Sequence, residues 1–266
     1  MSRTLTIGGD LEVGRLGYGA MRVTGPDAIP VVRRAYELGC TFIDTADAYG
    51  PFVSEELIAE ALHPYPEDLV IATKGGLVHA EGVSEWPRDG RPEHLKAACE
   101  ASLRRLRVDR IDVYQLHRVD EKVPLVESVG ALKELQDEGK IRHVGLSNVG
   151  RAQLAEARAV VDVVTVQNRF NAVDRSSEEV LDHCEAEGIA FIPWEPLAAG
   201  VAPVAEAAER HDATPSQVAL AWLLQRSGAM LPIPGTGSLE HLEENVAARD
   251  LVLDPDEVAA IERAAG

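Results

Sequence analysis

Basic residues are scarce in this sequence of 266 residues. Lysine and arginine together number 26, against 44 aspartate and glutamate residues, which gives a formal net charge of −18 at pH 7. Nucleic acids and anionic membranes are bound through basic patches, so the composition argues against both as partners. The same charge requires that any phosphate-bearing ligand be held by local groups against a repulsive overall field.

Cysteines and long apolar runs are also few. Cys40, Cys99 and Cys184 are far apart and odd in number, which is typical of reduced, buried thiols rather than of a disulfide framework. No apolar signal-peptide region opens the sequence, and no uncharged apolar run reaches the length of a membrane span. The histidines are scattered and no CxxC occurs, so we expect no metal site. These absences favour a cytoplasmic protein.

Eight short segments rich in aliphatic and β-branched residues have the length of β-strands. They span residues 15–18, 41–44, 69–73, 111–116, 143–147, 162–167, 189–194 and 230–233. Helical patterns lie between them, over 28–38, 92–106 and 124–138 among others. Three polar pairs at capping-box spacing predict the starts of later helices: Ser176 with Glu179, Thr214 with Gln217, and Asp254 with Glu257.

The sequence therefore predicts one α/β domain over residues 1–266, a (β/α)8 TIM barrel, because eight such repeats in about 250 residues favour closure of the sheet. Two alternating segments that flank Gly8, Gly9 and Asp10 predict an N-terminal β-hairpin that could cover the bottom of the barrel, and the last capping signal predicts a C-terminal helix. An open doubly wound sheet is the alternative, and it is disfavoured because no GxGxxG follows any strand.

Reactive side chains lie at the ends of three consecutive predicted strands, which is where barrel enzymes place their chemistry. Tyr49 is a neutral proton donor at pH 7, and a nearby ammonium from Lys74 would tune its acidity. Asp44 could keep that lysine charged, and His117 could orient a substrate carbonyl. Each residue alone also fits an ordinary structural role, such as a loop cap or a packed side chain. Their conjunction indicates carbonyl reduction.

Seven segments resemble the aldo-keto reductases, in the family's order and spacing, between about residues 13 and 250. They are FIDTADAYG, ATKGG, YQLH, GKIRHVGLSN, VQNRFN, PWEPLAAG and IPGTGSLEHLEEN. The resemblance implies a (β/α)8 barrel that binds NADPH at its C-terminal mouth and transfers hydride to a small aldehyde or ketone. It implies Tyr49 as the general acid, Lys74 and Asp44 as its tuning pair, and His117 as the group that orients the carbonyl.

The resemblance also implies a set of cofactor-binding residues. They are Ala20, Met21, Asp44, Ser147, Asn148, Gln167, Trp194, Pro196, Leu197, Gly200, Gly235, Thr236, Ser238, His241, Glu244 and Asn245. Trp194 stands where the family usually has a tyrosine stacked on the nicotinamide ring. Where the family often has an Arg or Lys for the 2′-phosphate, this sequence has Gly237 and Ser238. Ser238 can cap a helix whose N–H groups attract phosphate, so NADPH is preferred and NADH is not excluded.

Substrate choice is expected to depend on the loops around the mouth. The expected pocket residues are Met21, Tyr49, Trp86, His117 and Arg118. The stretches RLGYGAM, YGPFVSEELIAEAL and AWLLQRS are most similar to the pyridoxal reductase branch, which makes pyridoxal the first substrate to test.

Three alternatives remain open: an NAD(P)+-dependent alcohol or sugar dehydrogenase, a cofactor-sensing regulatory subunit with little turnover, and a barrel enzyme that forms a Schiff base on Lys74. We expect a monomer or a weak homo-oligomer.

Overall fold

The computed structural model describes residues 3–80, 82–83, 86–198, 200 and 202–264. It begins with the predicted hairpin, in which β1 (Thr4–Ile7) pairs antiparallel with β2 (Leu11–Gly14). Gly8 and Gly9 both have positive φ, the conformation that such a tight turn requires and glycine adopts most readily. Ile7 packs in one apolar cluster with residues from the amino ends of the barrel strands, including Phe42 and Val70. The hairpin therefore covers that end of the barrel, as expected.

Seven parallel strands follow in chain order around the sheet. They are β3 (Tyr18–Gly19), β4 (Phe42–Asp44), β5 (Val70–Gly75), β6 (Ile111–Leu116), β7 (Ile141–Ser147), β8 (Val163–Arg169) and β9 (Ala190–Trp194). Most of their residues are buried, as expected for strands covered on both faces. The first predicted strand was placed too early, because the structure pairs residues 18–19 with β4 instead of 15–18.

The eighth predicted strand, over 230–233, is wrong as a regular strand, although the chain closes the barrel there. Within the described residues this segment forms one isolated bridge, between Met230 and Phe191 of β9. On the other side, Gly17 N donates to Pro232 O and Gly19 N donates to Pro234 O. Proline has no N–H to donate, so Pro232 and Pro234 accept hydrogen bonds from Gly17 and Gly19 but donate none in return. The architecture is a (β/α)8 barrel whose last strand position is an extended, proline-containing segment.

The helices that surround the sheet are α1 (Ile29–Glu37), α2 (Val53–Leu62), α3 (Pro92–Leu106), α4 (Leu125–Asp137), α5 (Arg151–Arg158), α6 (Glu178–Glu187), α7 (Ala202–His211), α8 (Pro215–Arg226), α9 (Leu239–Ala247) and the C-terminal α10 (Pro255–Ala264). Within the described ranges, no helix combines the length and the apolar character that crossing a bilayer would need.

Two of the three predicted capping boxes are confirmed. Thr214 caps α8 reciprocally with Gln217, and Glu257 N donates to Asp254 Oδ1 while Asp254 N donates to Glu257 Oε2. The box at Ser176 is wrong. Its hydroxyl and its N–H both donate to Asp174 Oδ1, which holds Ser176 in a local turn, and α6 begins two residues later.

Candidate active site

A buried ion pair lies at the carboxyl ends of β4 and β5. Lys74 Nζ donates to Asp44 Oδ2 at 2.6 Å, to the Thr45 carbonyl oxygen at 2.8 Å and to Tyr49 Oη at 3.2 Å. The lysine side chain is 0% exposed and that of Asp44 is 2% exposed. Successive strands thus bring Asp44 and Lys74 together, because the β4–β5 register sets Asp44 beside Ala72, two residues before Lys74.

The second carboxylate oxygen of Asp44 ties this pair to two further strands. Gln115 Nε2 on β6 donates to Asp44 Oδ1 at 3.1 Å, and Gln167 Nε2 on β8 donates to the same oxygen at 2.8 Å. A carboxylate that accepts from an ammonium and from two amides is fully solvated by protein groups, which offsets its removal from water.

The loop between β4 and α2 holds the Tyr49 ring beside this pair. Its turn is closed by a hydrogen bond from Tyr49 N to the Ala46 carbonyl oxygen. Thr45 and Ser54 share a hydrogen bond of 2.8 Å between their hydroxyl oxygens, and the Ser54 hydroxyl donates to the Ala20 carbonyl oxygen. The loop is thereby attached to the segment after β3, so the position of the phenol is set by buried bonds on both sides.

Burial and charge set the protonation states of this group. Burial opposes the charge of Lys74, but the nearby Asp44 and Tyr49 outweigh it and hold the lysine pKa above its ordinary value. Burial also raises the pKa of Tyr49 above its ordinary 10, an effect that the Lys74 ammonium partly offsets. At neutral pH the site therefore holds a protonated phenol beside an ammonium.

His117 follows β6 and lies beside the Tyr49 ring. Its ring centroid is 5.9 Å from that of Tyr49, with the two rings nearly perpendicular. Burial, and then the positive charges of Lys74 and Arg118, lower the histidine pKa well below its ordinary value. The imidazole is therefore neutral at physiological pH, and its buried Nδ1 has no hydrogen-bond partner among the described residues. A neutral imidazole with an unsatisfied ring nitrogen is suited to bind a polar atom of a ligand.

The expected carboxamide ligands and Trp194 form one connected chain of hydrogen bonds. Ser147 Oγ donates to the Gln167 carbonyl oxygen at 2.9 Å, and Asn148 Nδ2 donates to Ser147 Oγ at 2.7 Å. Trp194 Nε1 in turn donates to Asn148 Oδ1 at 3.0 Å. Asn148 adopts a positive φ of 59°, which asparagine tolerates better than most residues. The indole is thus fixed to the end of β7 as well as to its own strand.

Two cavities at the mouth share Arg22, Leu197 and Gly235 and so form one elongated cleft. The first has a volume of about 410 Å³ and lies beside Asp44 and Tyr49, and we call this end of the cleft the reacting end. It is lined by Gly19, Met21, Arg22, Asp44, Tyr49, Gln167, Trp194, Glu195, Pro196, Leu197, Ile233 and Gly235. The second has a volume of about 550 Å³ and lies at the start of α9, lined by Arg22, Leu197, Ser216, Gly235, Thr236, Gly237, Ser238, His241, Glu244 and Asn245.

The cleft brings together most of the predicted cofactor residues. Four lie apart from its lining: Ala20, Ser147, Asn148 and Gly200. Ala20 is buried against the Tyr49 loop, whereas Ser147 and Asn148 reach the cleft through Gln167 and Trp194. Of the expected substrate residues, Trp86 packs its ring 4.9 Å from that of His79, in the loop after β5. The linings of the two cavities do not include Trp86, His117 or Arg118.

Sequence reasoning missed Arg22, Glu195 and Gln115. Arg22 lies where the two cavities meet and is the one Arg or Lys among the described residues that line them. Nothing in its local sequence ties it to α9, because the approach depends on closure of the barrel. Gln115 lies on β6, two residues before His117, so strand alternation continued past the end of β6 would have placed both on the same face.

The cleft fits a dinucleotide. One end offers amide groups, an aromatic ring and a phenol, and the other offers the N-terminus of α9, capped by a bond from His241 N to Ser238 Oγ. A helix N-terminus favours an anion such as phosphate. A Cβ built on Gly237 would meet no atom within 4 Å, so the backbone there is open to a ligand.

Comparison with known proteins agrees with this geometry. A sequence model of the Aldo/keto reductase family matches residues 14–206 and 201–265. The chain belongs to the aldo/keto reductase family. This confirms the resemblance and makes the protein an oxidoreductase.

Relatives of this aldo/keto reductase span nearly its whole length. An uncharacterized oxidoreductase of Schizosaccharomyces pombe is 48% identical, over 96% of this chain and 87% of the relative. Pyridoxine 4-dehydrogenase of Escherichia coli is 42% identical, over 98% of both chains. Among solved structures, an aldo/keto reductase from Klebsiella pneumoniae in complex with NADP and acetate superposes with a TM-score of 0.85 at 28% identity, over 99% of this chain and 95% of that one.

Proposed function

We propose that this aldo/keto reductase reduces a small aldehyde or ketone to the alcohol with NADPH, and that Tyr49 donates the proton to the carbonyl oxygen. The observation that carries the proposal is the buried contact of Tyr49 Oη with Lys74 Nζ, at 3.2 Å, beside the Asp44 carboxylate and the His117 ring. This combination supplies a proton donor, a charge that stabilises its conjugate base and a group that orients the substrate.

The protonation states support the reductive direction. The raised pKa of Tyr49 keeps its proton in place at neutral pH. As that proton leaves, the adjacent Lys74 ammonium stabilises the developing phenolate, and Asp44 prevents the ammonium from losing its charge. Because the His117 ring is neutral, one of its nitrogens carries an N–H that can donate to the substrate oxygen and fix its orientation.

The cleft residues provide the binding site for the cofactor, which when bound supplies the hydride. Trp194 offers its ring to the nicotinamide, and Gln167 with the Ser147–Asn148 pair offers polar groups to the carboxamide. Pro196, Leu197 and Gly200 follow β9 and would border the pyrophosphate. Gly235, Thr236, Ser238, His241, Glu244 and Asn245 would hold the adenosine half. Two of the family structures were solved with NADP or NADPH, which supports the same choice here.

Arg22 supports binding of a phosphate-bearing cofactor. Its guanidinium lies where the two cavities meet and can reach a phosphate group there, which the neutral Gly237 and Ser238 cannot compensate. NADPH stays the proposed preference over NADH, on the family resemblance. At the adenosine end, Glu244 is held in place, because it accepts from the Thr214 hydroxyl and its carbonyl oxygen accepts from Gln217 Nε2 at 3.1 Å. Equal catalytic efficiency with both cofactors would refute this preference.

We propose pyridoxal as the first substrate to test. The 42% identity to pyridoxine 4-dehydrogenase, over 98% of both chains, supports it. The name of that relative describes oxidation of the alcohol, so oxidation with NADP+ is the second candidate function, and both directions use Tyr49. Met21 and Tyr49, which line the cavity, remain proposed pocket residues, together with His117, Trp86 and Arg118.

The test follows the absorbance of the reduced nicotinamide with pyridoxal and with 4-nitrobenzaldehyde. Tyr49→Phe removes the proton donor and should lower turnover by about 10²–10⁴, while the Kd for NADPH stays near that of wild type. Tyr36→Phe is the matched control, because its hydroxyl bonds to Asp68 at the surface, away from the cleft. Near-normal turnover of Tyr49→Phe would refute the mechanism, and NADPH binding without turnover in wild type would favour the regulatory-subunit reading.

We also infer that residues 1–266 act as one barrel domain in the cytoplasm, as a monomer or weak homo-oligomer. The three cysteines support a reducing compartment, because all are free and buried, and burial raises the pKa of each thiol.

A further inference from the structure

Arg169, the last residue of β8, lies beside the aromatic ring that borders the reacting end of the cleft. Its guanidinium carbon is 5.6 Å from the centroid of the Trp194 ring, within the range of a cation–π contact. Arg169 Nε is 2.7 Å from Glu195 Oε2, and Nη1 is 3.2 Å from Asp174 Oδ2. The arginine thus links the ring to two carboxylates.

Trp194 itself is fixed at its edge and open to the cavity. Its N–H donates to Asn148, and the residue lines the 410 Å³ cavity together with Tyr49 and Asp44. Glu195, which lines the same cavity, has a positive φ of 56°, an uncommon conformation for a residue other than glycine. The ion pair to Arg169 helps to hold it there.

The charge around Trp194 matters because the two redox states of a nicotinamide differ in charge. The oxidised ring is a cation, and the reduced ring is neutral. An indole face attracts a cation through its quadrupole, and a guanidinium already over the indole competes for that attraction. Without the guanidinium, Glu195 and Asp174 would also lack their cationic partner, and their negative potential would attract the oxidised ring. Both effects predict that removal of the guanidinium strengthens binding of the oxidised ring.

We propose that Arg169 is a positioning residue which, through Trp194 and Glu195, weakens the binding of NADP+ relative to NADPH and so favours the reductive direction. This inference rests on the proposed function, because it requires the nicotinamide ring to lie against Trp194.

The test is the ratio of two dissociation constants, Kd for NADP+ over Kd for NADPH, measured by calorimetry without substrate. Arg169→Gln should lower this ratio about two- to fivefold, the range expected from an exposed cation–π contact. Arg169→Lys keeps the charge and should shift the ratio less. Arg158→Gln is the matched control, because Arg158 pairs with Glu187 on the outer surface, and it should leave the ratio unchanged.

A double variant separates the two contributions. Arg169→Gln with Glu195→Gln removes the cation without leaving the nearer carboxylate unpaired, so the ratio should lie between those of wild type and Arg169→Gln. An unchanged ratio in Arg169→Gln, or a weakening of both cofactors by the same factor, would overturn the inference and leave the proposed function intact. A wild-type protein that binds neither cofactor would overturn the proposed function, and this inference with it.

Discussion

The buried pair of Lys74 and Asp44 gives the sharpest energetic prediction. Lys74→Met removes the ammonium and keeps a side chain of similar length, so the cavity that remains is small. The change leaves Asp44, whose side chain is 2% exposed, without the cation at 2.6 Å from its Oδ2. It also removes the donor to the Thr45 carbonyl oxygen. The amides of Gln115 and Gln167 still donate to Oδ1, so half of the carboxylate remains solvated.

Breaking a buried ion pair by removing one partner costs about 3–5 kcal/mol, because the other charge stays buried and uncompensated. The two glutamine amides lower that cost for Asp44, so we expect Lys74→Met to lose about 3 kcal/mol. Asp44→Asn should cost a similar amount, because it leaves the Lys74 ammonium, which is 0% exposed, without its carboxylate. The double variant buries no net charge and should lose less than the sum of the two single changes by about 2 kcal/mol or more.

Urea unfolding at constant pH, followed by circular dichroism in the absence of cofactor, measures all four corners of this double-mutant cycle. The slope of free energy against urea should be the same for all variants, so that midpoints report stability. Single variants that each lose less than about 1 kcal/mol, or losses that simply add in the double variant, would refute the reasoning. Either result would mean that the pair is not the electrostatic unit that the geometry indicates.

Two further predictions concern stability. Burial, with repulsion from Glu55, raises the pKa of Asp47 to about 7. The protonated side chain contributes its full stabilisation below the unfolded pKa of about 4, and this contribution is lost as the pH rises to about 7. The free energy of unfolding of Asp47→Asn should therefore rise relative to that of wild type across this pH interval, by about 4 kcal/mol at most. A difference in urea midpoints that does not change with pH would contradict this. A Cβ at Gly19 would lie 2.5 Å from the Ile233 carbonyl oxygen, so Gly19→Ala should cost about 1–3 kcal/mol. A Cβ at Gly25 would meet open space, so the stability of Gly25→Ala in thermal unfolding should stay within about 0.5 kcal/mol of wild type. Equal losses in Gly19→Ala and Gly25→Ala would contradict the steric argument.

The clustering of the proposed catalytic residues could be predicted from sequence, because it depends only on the order of residues along parallel strands. In a barrel all strands end at the same rim, so Asp44, Lys74 and His117 need only follow consecutive strands to become neighbours. The strand boundaries were off by a few residues in places, yet a shift along the strand axis does not move a side chain to another rim. The same logic, applied to alternation along β6, would have included Gln115.

Features that depend on contacts across the sheet closure could not be predicted in this way. Residues 230–233 have strand composition, but Pro232 and Pro234 have no N–H to donate. The bonds from Gly17 and Gly19 on one side, and the bridge to Phe191 on the other, show that the segment closes the barrel. Arg22 comes near α9 through the same closure. The failed capping box at Ser176 has a local cause, since Asp174 competes for the same hydroxyl.

The arrangement of charge along the cleft answers the difficulty raised by the net charge of −18. Beside the Tyr49 and Trp194 rings the cations are paired: Lys74 with Asp44, and Arg169 with Glu195 and Asp174, while His117 is neutral. An unpaired cation beside these rings would repel an oxidised nicotinamide and weaken binding of the oxidised cofactor.

At the end of the cleft proposed for the phosphates the need is the reverse, and the groups available to meet it are local. Arg22 lies at the junction of the cavities, and the start of α9 directs N–H groups toward the second one. These interactions act over a few ångströms, whereas the repulsion from distant surface carboxylates is screened beyond a Debye length of about 8 Å at physiological salt. A strongly acidic protein can therefore bind a polyanionic cofactor, because the nearest charges outweigh the total.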